Sequence, residues 1–250
     1  MKIFPEQPKP DFDSYVARPE TIFCQREAGD SIEQLYTQGY LPYSGTIGLH
    51  DVWYSARSAR VVLHQFELTS ENRRIAKKFD GRFKKERMSM LEFSKTEELV
   101  ALFAAYSAAR HSPNTLPRKR LEIILSSNLV STIVRYGVGD TADGYVIEVA
   151  DGSACDFWQS AYDPAYIKQS LGLWLMLDCI RDAKARGLSH YYLGTVYGEK
   201  ALYKTNFEPL EWWNGSLWSG DVRRLKERGR TDEKRPLPGM DEWKENRPFF

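Results

Sequence analysis

A chain of 250 residues is long enough to bury a real hydrophobic core, as one large domain or two small ones. Hydrophobic residues make up 42% of it and aromatics 13%, which is the composition of a globular protein. The formal charge of +1 excludes a wholesale nucleic-acid coat, while a local basic face stays open because net charge averages over the surface.

The first twenty residues read as a loose, proline-containing arm without the continuous apolar run of a signal peptide. Asp30 is placed to cap a short helix running to Gly39, with Ile32, Leu35 and Tyr36 on its apolar face. From Tyr40 to Leu68 the chain alternates and is rich in aromatic and β-branched residues, predicting two or three strands, the last around Ala59–Leu68. Glu71–Arg87 is the most basic window. In it Arg73, Arg74, Lys77, Lys78, Arg82, Lys84, Lys85 and Arg87 outnumber Glu71, Asp80 and Glu86. It is either a solvated helical face or a phosphate-contacting surface, and in the second case Arg73, Arg74, Lys77 and Lys78 are the nucleic-acid-binding candidates.

Ser94 and Glu97 have the spacing of a capping box opening a helix through about Arg110, with Leu99, Leu102, Phe103 and Tyr106 at helical intervals. HSPNTLP breaks the pattern, and a short helix is expected around Leu121–Ser127. Three strands follow at Leu129–Val138, Gly144–Val149 and Cys155–Tyr162, with Asp151-Gly152 turning between the last two. Asp163-Pro164 ends that sheet segment, because a residue before proline avoids the helical region. A long amphipathic helix is predicted over about Tyr166–Arg186, stopped by Gly187, and then a strand over Tyr191–Val196. From about Ser219 the tail is charged and contains proline and glycine, which predicts a weakly structured extension.

No stretch approaches the roughly 18 apolar residues of a membrane span, so no membrane partner is expected. Cys24, Cys155 and Cys179 lie far apart without metal-ligand spacing, and an odd number of cysteines suits reduced thiols in a cytoplasmic protein with no metal site.

Four short motifs keep their mutual spacing: Tyr162-Asp163-Pro164, Ser170-Leu171-Gly172, Tyr192-Leu193-Gly194, and Tyr203-Lys204-x-x-Phe207-x-Pro209-Leu210-Glu211, with Trp218 beyond. Over Gly144–Trp218 they resemble the C-terminal domain of the arginyl- and leucyl-tRNA–protein transferases. A weaker likeness covers Ile32–Arg74, where IEQLYTQGYLPYSG resembles the helix before that family's cysteine region and Ser70-x-x-Arg73-Arg74 its S-Q-R-R element. One departure stands out: the stretch GTIGLHDVWYSARSARVVL holds none of the clustered cysteines the family places there.

The resemblance implies an α+β chain with a GNAT-like mixed sheet flanked by helices and a smaller α+β N-terminal region. The division it suggests is an arm over 1–20, an N-terminal module over 21–92, the acyltransferase domain over 93–218 and an extension over 219–250. It implies transfer of an amino acid of the Arg or Leu class from charged tRNA to a protein or peptide N-terminus, with acidic N-termini among the acceptors. The aminoacyl-tRNA would be a co-substrate and no cofactor would be required. Two alternatives stand beside it: an acyl-CoA-dependent N-acyltransferase using acetyl-CoA, or a non-catalytic descendant that binds tRNA or protein.

The ester of an aminoacyl-tRNA is already activated, so the catalyst needs mainly to align amine and carbonyl and to offer donors to the oxyanion. Lys204 is the candidate charge partner for a phosphate or an acidic N-terminal residue and Tyr203 a hydrogen-bond donor, together the catalytic candidates. A core tyrosine and a solvated lysine stem are the plainer reading. Ser170 and Gly172 would begin the long helix, where free N–H groups receive a phosphate or a tRNA 3′ end. Tyr192 and Gly194 lie on the strand bordering the cleft, and glycine there permits close backbone approach. These four are the substrate-binding candidates. Trp174 stands where an acetyl-CoA enzyme keeps a small residue, and would crowd a pyrophosphate. Trp212, Trp213 and Trp218 either stack on the terminal adenosine or pack in the core.

Overall fold

A computed structural model describes residues 1–3, 22–43, 51–110 and 118–232. In chain order the elements are β1 (Lys2–Ile3), β2 (Phe23–Gln25), α1 (Ile32–Thr37), β3 (Tyr40–Pro42), β4 (Val52–Ser55), β5 (Ser58–Val62), α2 (Ser70–Phe79) and β6 (Lys84–Met88). Then come α3 (Thr96–Arg110), α4 (Arg118–Ser126), β7 (Thr132–Val138), β8 (Thr141–Asp151), β9 (Ala154–Tyr162) and α5 (Leu171–Ala185). The last are β10 (His190–Thr195), β11 (Leu210–Trp213), β12 (Trp218–Ser219) and α6 (Val222–Thr231). Short 3-10 segments lie at Leu63–Gln65, Pro164–Gln169 and Glu199–Asn206.

The architecture is α+β, with two sheets. A four-stranded sheet runs β1-β2-β4-β3, and an eight-stranded mixed sheet runs β12-β11-β5-β10-β9-β8-β7-β6. Two strands from before residue 93 thus lie inside the large sheet. β5 pairs antiparallel with both β10 and β11, and β6 pairs with β7. Among the described residues the one parallel pair is β9 with β10.

Alternation along these strands feeds two faces. Val134, Tyr136, Val146, Cys155, Tyr191 and Leu193 turn toward α2 and α5, whose Phe79, Trp174, Leu175 and Ile180 complete the main core. On the other face Ile133, Tyr145, Ile147 and Ala161 pack under α3 and α4, with Leu99, Phe103, Leu121 and Ile124. Beside that layer Val149, Ala154 and Tyr192 pack under α1 and the small sheet, with Leu35, Tyr36, Leu41 and Trp53. Trp158 touches both of these last clusters.

Several local outcomes differ from the sequence pattern. The N-cap of α1 is Ser31, which makes a capping box with Gln34, while Asp151 from the β8–β9 turn accepts the Ile32 N–H at 2.8 Å. The basic window is not one helix. α2 is capped by Thr69 and Asn72 and ends at Asp80, and the remainder is strand β6. Its cations then face acids: Lys85 meets Asp178 and Asp182, and Arg87 meets Glu148 and Asp182. The long helix begins at Leu171, because Asp163 caps the 3-10 turn and Ser170 takes the left-handed conformation (φ 66°).

The tail is not loose throughout. Asp221 caps α6, Leu225 is fully buried, and Asp232 at the helix end forms an ion pair with the buried Arg57 and accepts the Gly198 N–H at 2.6 Å. Of the arm over 1–20, residues 4–20 lie outside the described residues, as does the HSPNTLP break.

Candidate active site

The cleft arises from the parallel pair β9 and β10. β9 and β10 are in register at Ala154–His190, Cys155–Tyr191 and Asp156–Tyr192, and pairing stops there. Gly194 adopts φ +74°, a conformation that glycine takes without the steric cost a Cβ brings. A register shift between Tyr192 and Thr195 follows, so β10 bends toward β5 and away from β9. The gap is a cavity of about 430 Å³, within the range of small-ligand sites.

The small sheet supplies one wall through Leu41, Pro42, Tyr43 and Tyr54, and α3 and α4 supply Tyr106 and Arg120. β9 contributes the run Asp156–Ser160, α5 contributes Met176, and β10 contributes Leu193, Gly194 and Thr195. Tyr203 and Lys204, from the 3-10 segment after β10, close it.

Two ionisable side chains sit deep in this cavity. Asp156 is 1% exposed, and its Oδ1 has no hydrogen-bond partner. Burial pushes its carboxyl up to about 8, with the Lys204 charge pulling the other way and the Glu148 charge adding to the rise. Lys204 is 9% exposed and donates from Nζ to the Thr195 carbonyl at 2.7 Å. Burial lowers its ammonium to about 8, opposed by Asp156. Among the described residues no ion pair of 4 Å or less joins the two. The absent side chain of Gly194 leaves room beside them, since a Cβ there would come 3.7 Å from Lys204 Nζ.

The structure brings together Tyr203, Lys204 and Gly194, and separates the other candidates from the cavity. Tyr192 is covered rather than open to the cavity: it is 1% exposed, its ring is stacked on Tyr36 at 4.6 Å and its hydroxyl accepts from Arg60 at 3.2 Å. Ser170 and Gly172 form the start of α5, where a Cβ on Gly172 would meet the Tyr162 ring at 2.7 Å. α2 lies against this same turn, as Lys78 donates to the Gln169 carbonyl at 2.9 Å. Arg73, Arg74 and Lys77 are exposed on α2, although Arg74 is paired with Glu71.

Trp174 is 4% exposed, packs on Phe83 and Phe79 and donates to Asp80 at 2.8 Å. Trp212, Trp213 and Trp218 do not line the cavity either. Trp212 donates to the Asp221 carbonyl and Trp218 to the Thr37 carbonyl, while the Trp213 ring fills the space over Gly39.

Asp156 is the residue that sequence reasoning passed over. Its signal was available: an acid in the middle of the apolar strand run Ala154-Cys155-Asp156-Phe157. The cysteines give no second reactive group in the cleft, because all three are buried and burial raises each thiol above its ordinary range.

Residues 70–205 match the acetyltransferase (GNAT) domain family. The chain is 31% identical over 214 residues to an aspartate/glutamate leucyltransferase of Methylorubrum extorquens, covering 76% of this chain and 83% of that one. It is 28% identical over 207 residues to an aspartate/glutamate leucyltransferase of Sinorhizobium medicae, covering 74% and 78%. Among solved structures, the ribosomal-protein-S18-alanine N-acetyltransferase of Escherichia coli aligns with 49% of this chain and 76% of its own, with a TM-score of 0.37 and 17% identity. With its diverging β9 and β10 and its match to leucyltransferases over most of its length, the chain belongs to the GNAT-domain aminoacyltransferases, in the family of the aspartate/glutamate leucyltransferases.

Proposed function

We propose that this enzyme transfers a leucyl group from aminoacylated tRNA to the α-amine of proteins that begin with aspartate or glutamate. The Arg-or-Leu choice left open by the motifs narrows to leucine because the relatives are aspartate/glutamate leucyltransferases. The observation that carries the reading is the cleft itself. It opens where β9 and β10 part, holds an acid and an amine at its floor, and is lined elsewhere by Leu41, Met176 and Leu193, which suit an apolar acyl side chain.

In this reading the enzyme works by placement. The ester of the aminoacyl-tRNA supplies the activated carbonyl, and alignment of the incoming nitrogen removes most of the entropic barrier. Tyr203 at the rim is a hydrogen-bond donor to the carbonyl oxygen as it becomes anionic. Lys204 and Arg120 set positive charge against the substrates' acidic and phosphate groups. The α5 start at Ser170 and Gly172, with Arg73, Arg74, Lys77 and Lys78 on the adjoining α2, is the proposed path of the tRNA 3′ strand. No cofactor beyond the charged tRNA is required.

The test is transfer of labelled leucine from leucyl-tRNA to peptides starting with Asp, Glu or Ala, with arginyl-tRNA and acetyl-CoA as competing donors. The reading expects label on the acidic peptides from leucyl-tRNA alone. Transfer from acetyl-CoA with none from leucyl-tRNA would overturn it.

A further inference from the structure

Asp156 poses a physical question that the general reaction leaves unanswered. A carboxylate 1% exposed is ordinarily closed off by hydrogen bonds, yet its Oδ1 has none. Lys204, in the same cavity, uses one of its three ammonium protons on Thr195 and keeps two for other acceptors. The surrounding groups do not close the pair. Glu148 on β8 is bound to Arg87 at 2.5 Å and to the Tyr191 hydroxyl at 2.6 Å, Tyr36 approaches from α1, and Arg120 from α4 and Tyr203 line the same walls. The cleft floor therefore presents one acid and one cation side by side, each with bonding capacity to spare.

An N-terminal aspartate or glutamate carries the complement: an α-ammonium and, a few bonds away, a carboxylate. Resting on the acceptor class proposed above, we propose that Asp156 and Lys204 form the acceptor subsite, Asp156 receiving the α-ammonium and then its proton, Lys204 the side-chain carboxylate. Asp156 takes one proton from the ammonium. The freed nitrogen lone pair forms the C–N bond to the ester carbonyl carbon, and the carbonyl π pair moves to oxygen. As the carbonyl re-forms, the C–O3′ bond breaks and the 3′-oxygen takes the proton held by Asp156. The regenerated carboxylate removes the second proton from nitrogen and passes it to solvent, leaving an amide and a free 3′-hydroxyl. A free α-amine has a reference value of about 7.7–8.0, and the Asp156 carboxyl stands at about 8. A carboxyl raised by burial is a better proton acceptor for such an amine than an ordinary carboxylate.

The experiment uses the full chain, leucyl-tRNA, and two peptides that differ only in beginning with Asp or Asn. Asp156→Asn is expected to lower kcat on the Asp peptide by about 10²–10⁴-fold, with KM changed less than about threefold. Lys204→Gln is expected to raise KM for the Asp peptide by about 10–100-fold while leaving KM for the Asn peptide within about threefold. Asp156→Glu, which restores a carboxylate, should recover part of the lost kcat, and that recovery separates proton transfer from a merely structural role. Turnover of Asp156→Asn within about threefold of wild type, or an equal rise in KM for both peptides in Lys204→Gln, would overturn the subsite. Wild-type enzyme that moves no leucine to either peptide would remove the reaction itself, and the subsite with it.

Discussion

Glu148 and Asp156 are buried acids on neighbouring strands, and their surroundings are built in opposite ways. Glu148 on β8 is 0% exposed and closed: Arg87 holds one oxygen at 2.5 Å and the Tyr191 hydroxyl holds the other at 2.6 Å. Asp156 on β9 is equally buried and open, with a bare Oδ1 and a lysine that spends its bond on a backbone carbonyl. The first acid, with both oxygens bonded, fixes β6 to β8 and β10. The second keeps its capacity for something that arrives. A buried charge becomes informative about function when its partners are counted, since desolvation alone treats both acids alike.

The sharpest way to break this comparison is Glu148→Gln. Removing the fully buried carboxylate leaves Arg87 with Asp182 as its one remaining acid and the Tyr191 hydroxyl facing an amide, and the expected loss is about 3 kcal/mol in urea unfolding. The same measurement on a variant at the open pair should show no such loss. A Glu148→Gln variant as stable as wild type would erase the distinction between the pairs.

pH sharpens it next. The folded-state value of Asp156 is raised to about 8, so its stabilising contribution is complete below the unfolded carboxyl value and is lost as pH rises through about 8. Lys204 is lowered to about 8, so its contribution is present above the unfolded lysine value and is lost as pH falls through about 8. Asp156→Asn should therefore gain in unfolding free energy relative to wild type between pH 4 and pH 8, measured by urea titration across that range. A constant difference would mean that the carboxyl is not held up by its surroundings.

A smaller effect is expected at the strand bend. Gly194→Ala places a Cβ at φ +74°, which costs about 1–2 kcal/mol, and it should lower transfer as β10 straightens toward β9. The smallest concerns tRNA. Arg73→Ala and Lys77→Ala should each reduce the slope of log K against log salt by about 1 without changing kcat at saturation. An unchanged slope in both would move the tRNA path off α2.

Much of the frame was legible because it is local. The strands β7, β8 and β9, the Asp151-Gly152 turn between the last two and strand β10 follow from alternation and turn residues, and each lies within a few residues of its sequence-based bounds. The family motifs pointed to Tyr203, Lys204 and Gly194, which do meet in the cleft.

What stayed hidden depends on partners far along the chain. α6 reads as a charged tail because its order rests on Leu225 in the core and Asp232 against Arg57. Tyr192 reads as a strand residue beside a cleft, but α1, far away in sequence, brings the Tyr36 ring over it and covers it. The start of α5 was placed early because the left-handed Ser170 carries no compositional mark. Asp156 and Glu148 look the same in sequence, each an acid inside an apolar strand. Only the three-dimensional partners, Arg87 and Tyr191 for one and an empty Oδ1 for the other, tell them apart.

The most direct test measures two properties of Asp156→Asn at pH 8: unfolding free energy in urea and single-turnover leucine transfer to an Asp-starting peptide. A carboxylate held open for substrate predicts stability equal to or above wild type with transfer slowed by about 10²-fold or more. A loss of several kcal/mol with transfer at the wild-type rate would show instead that Asp156, like Glu148, belongs to the scaffold.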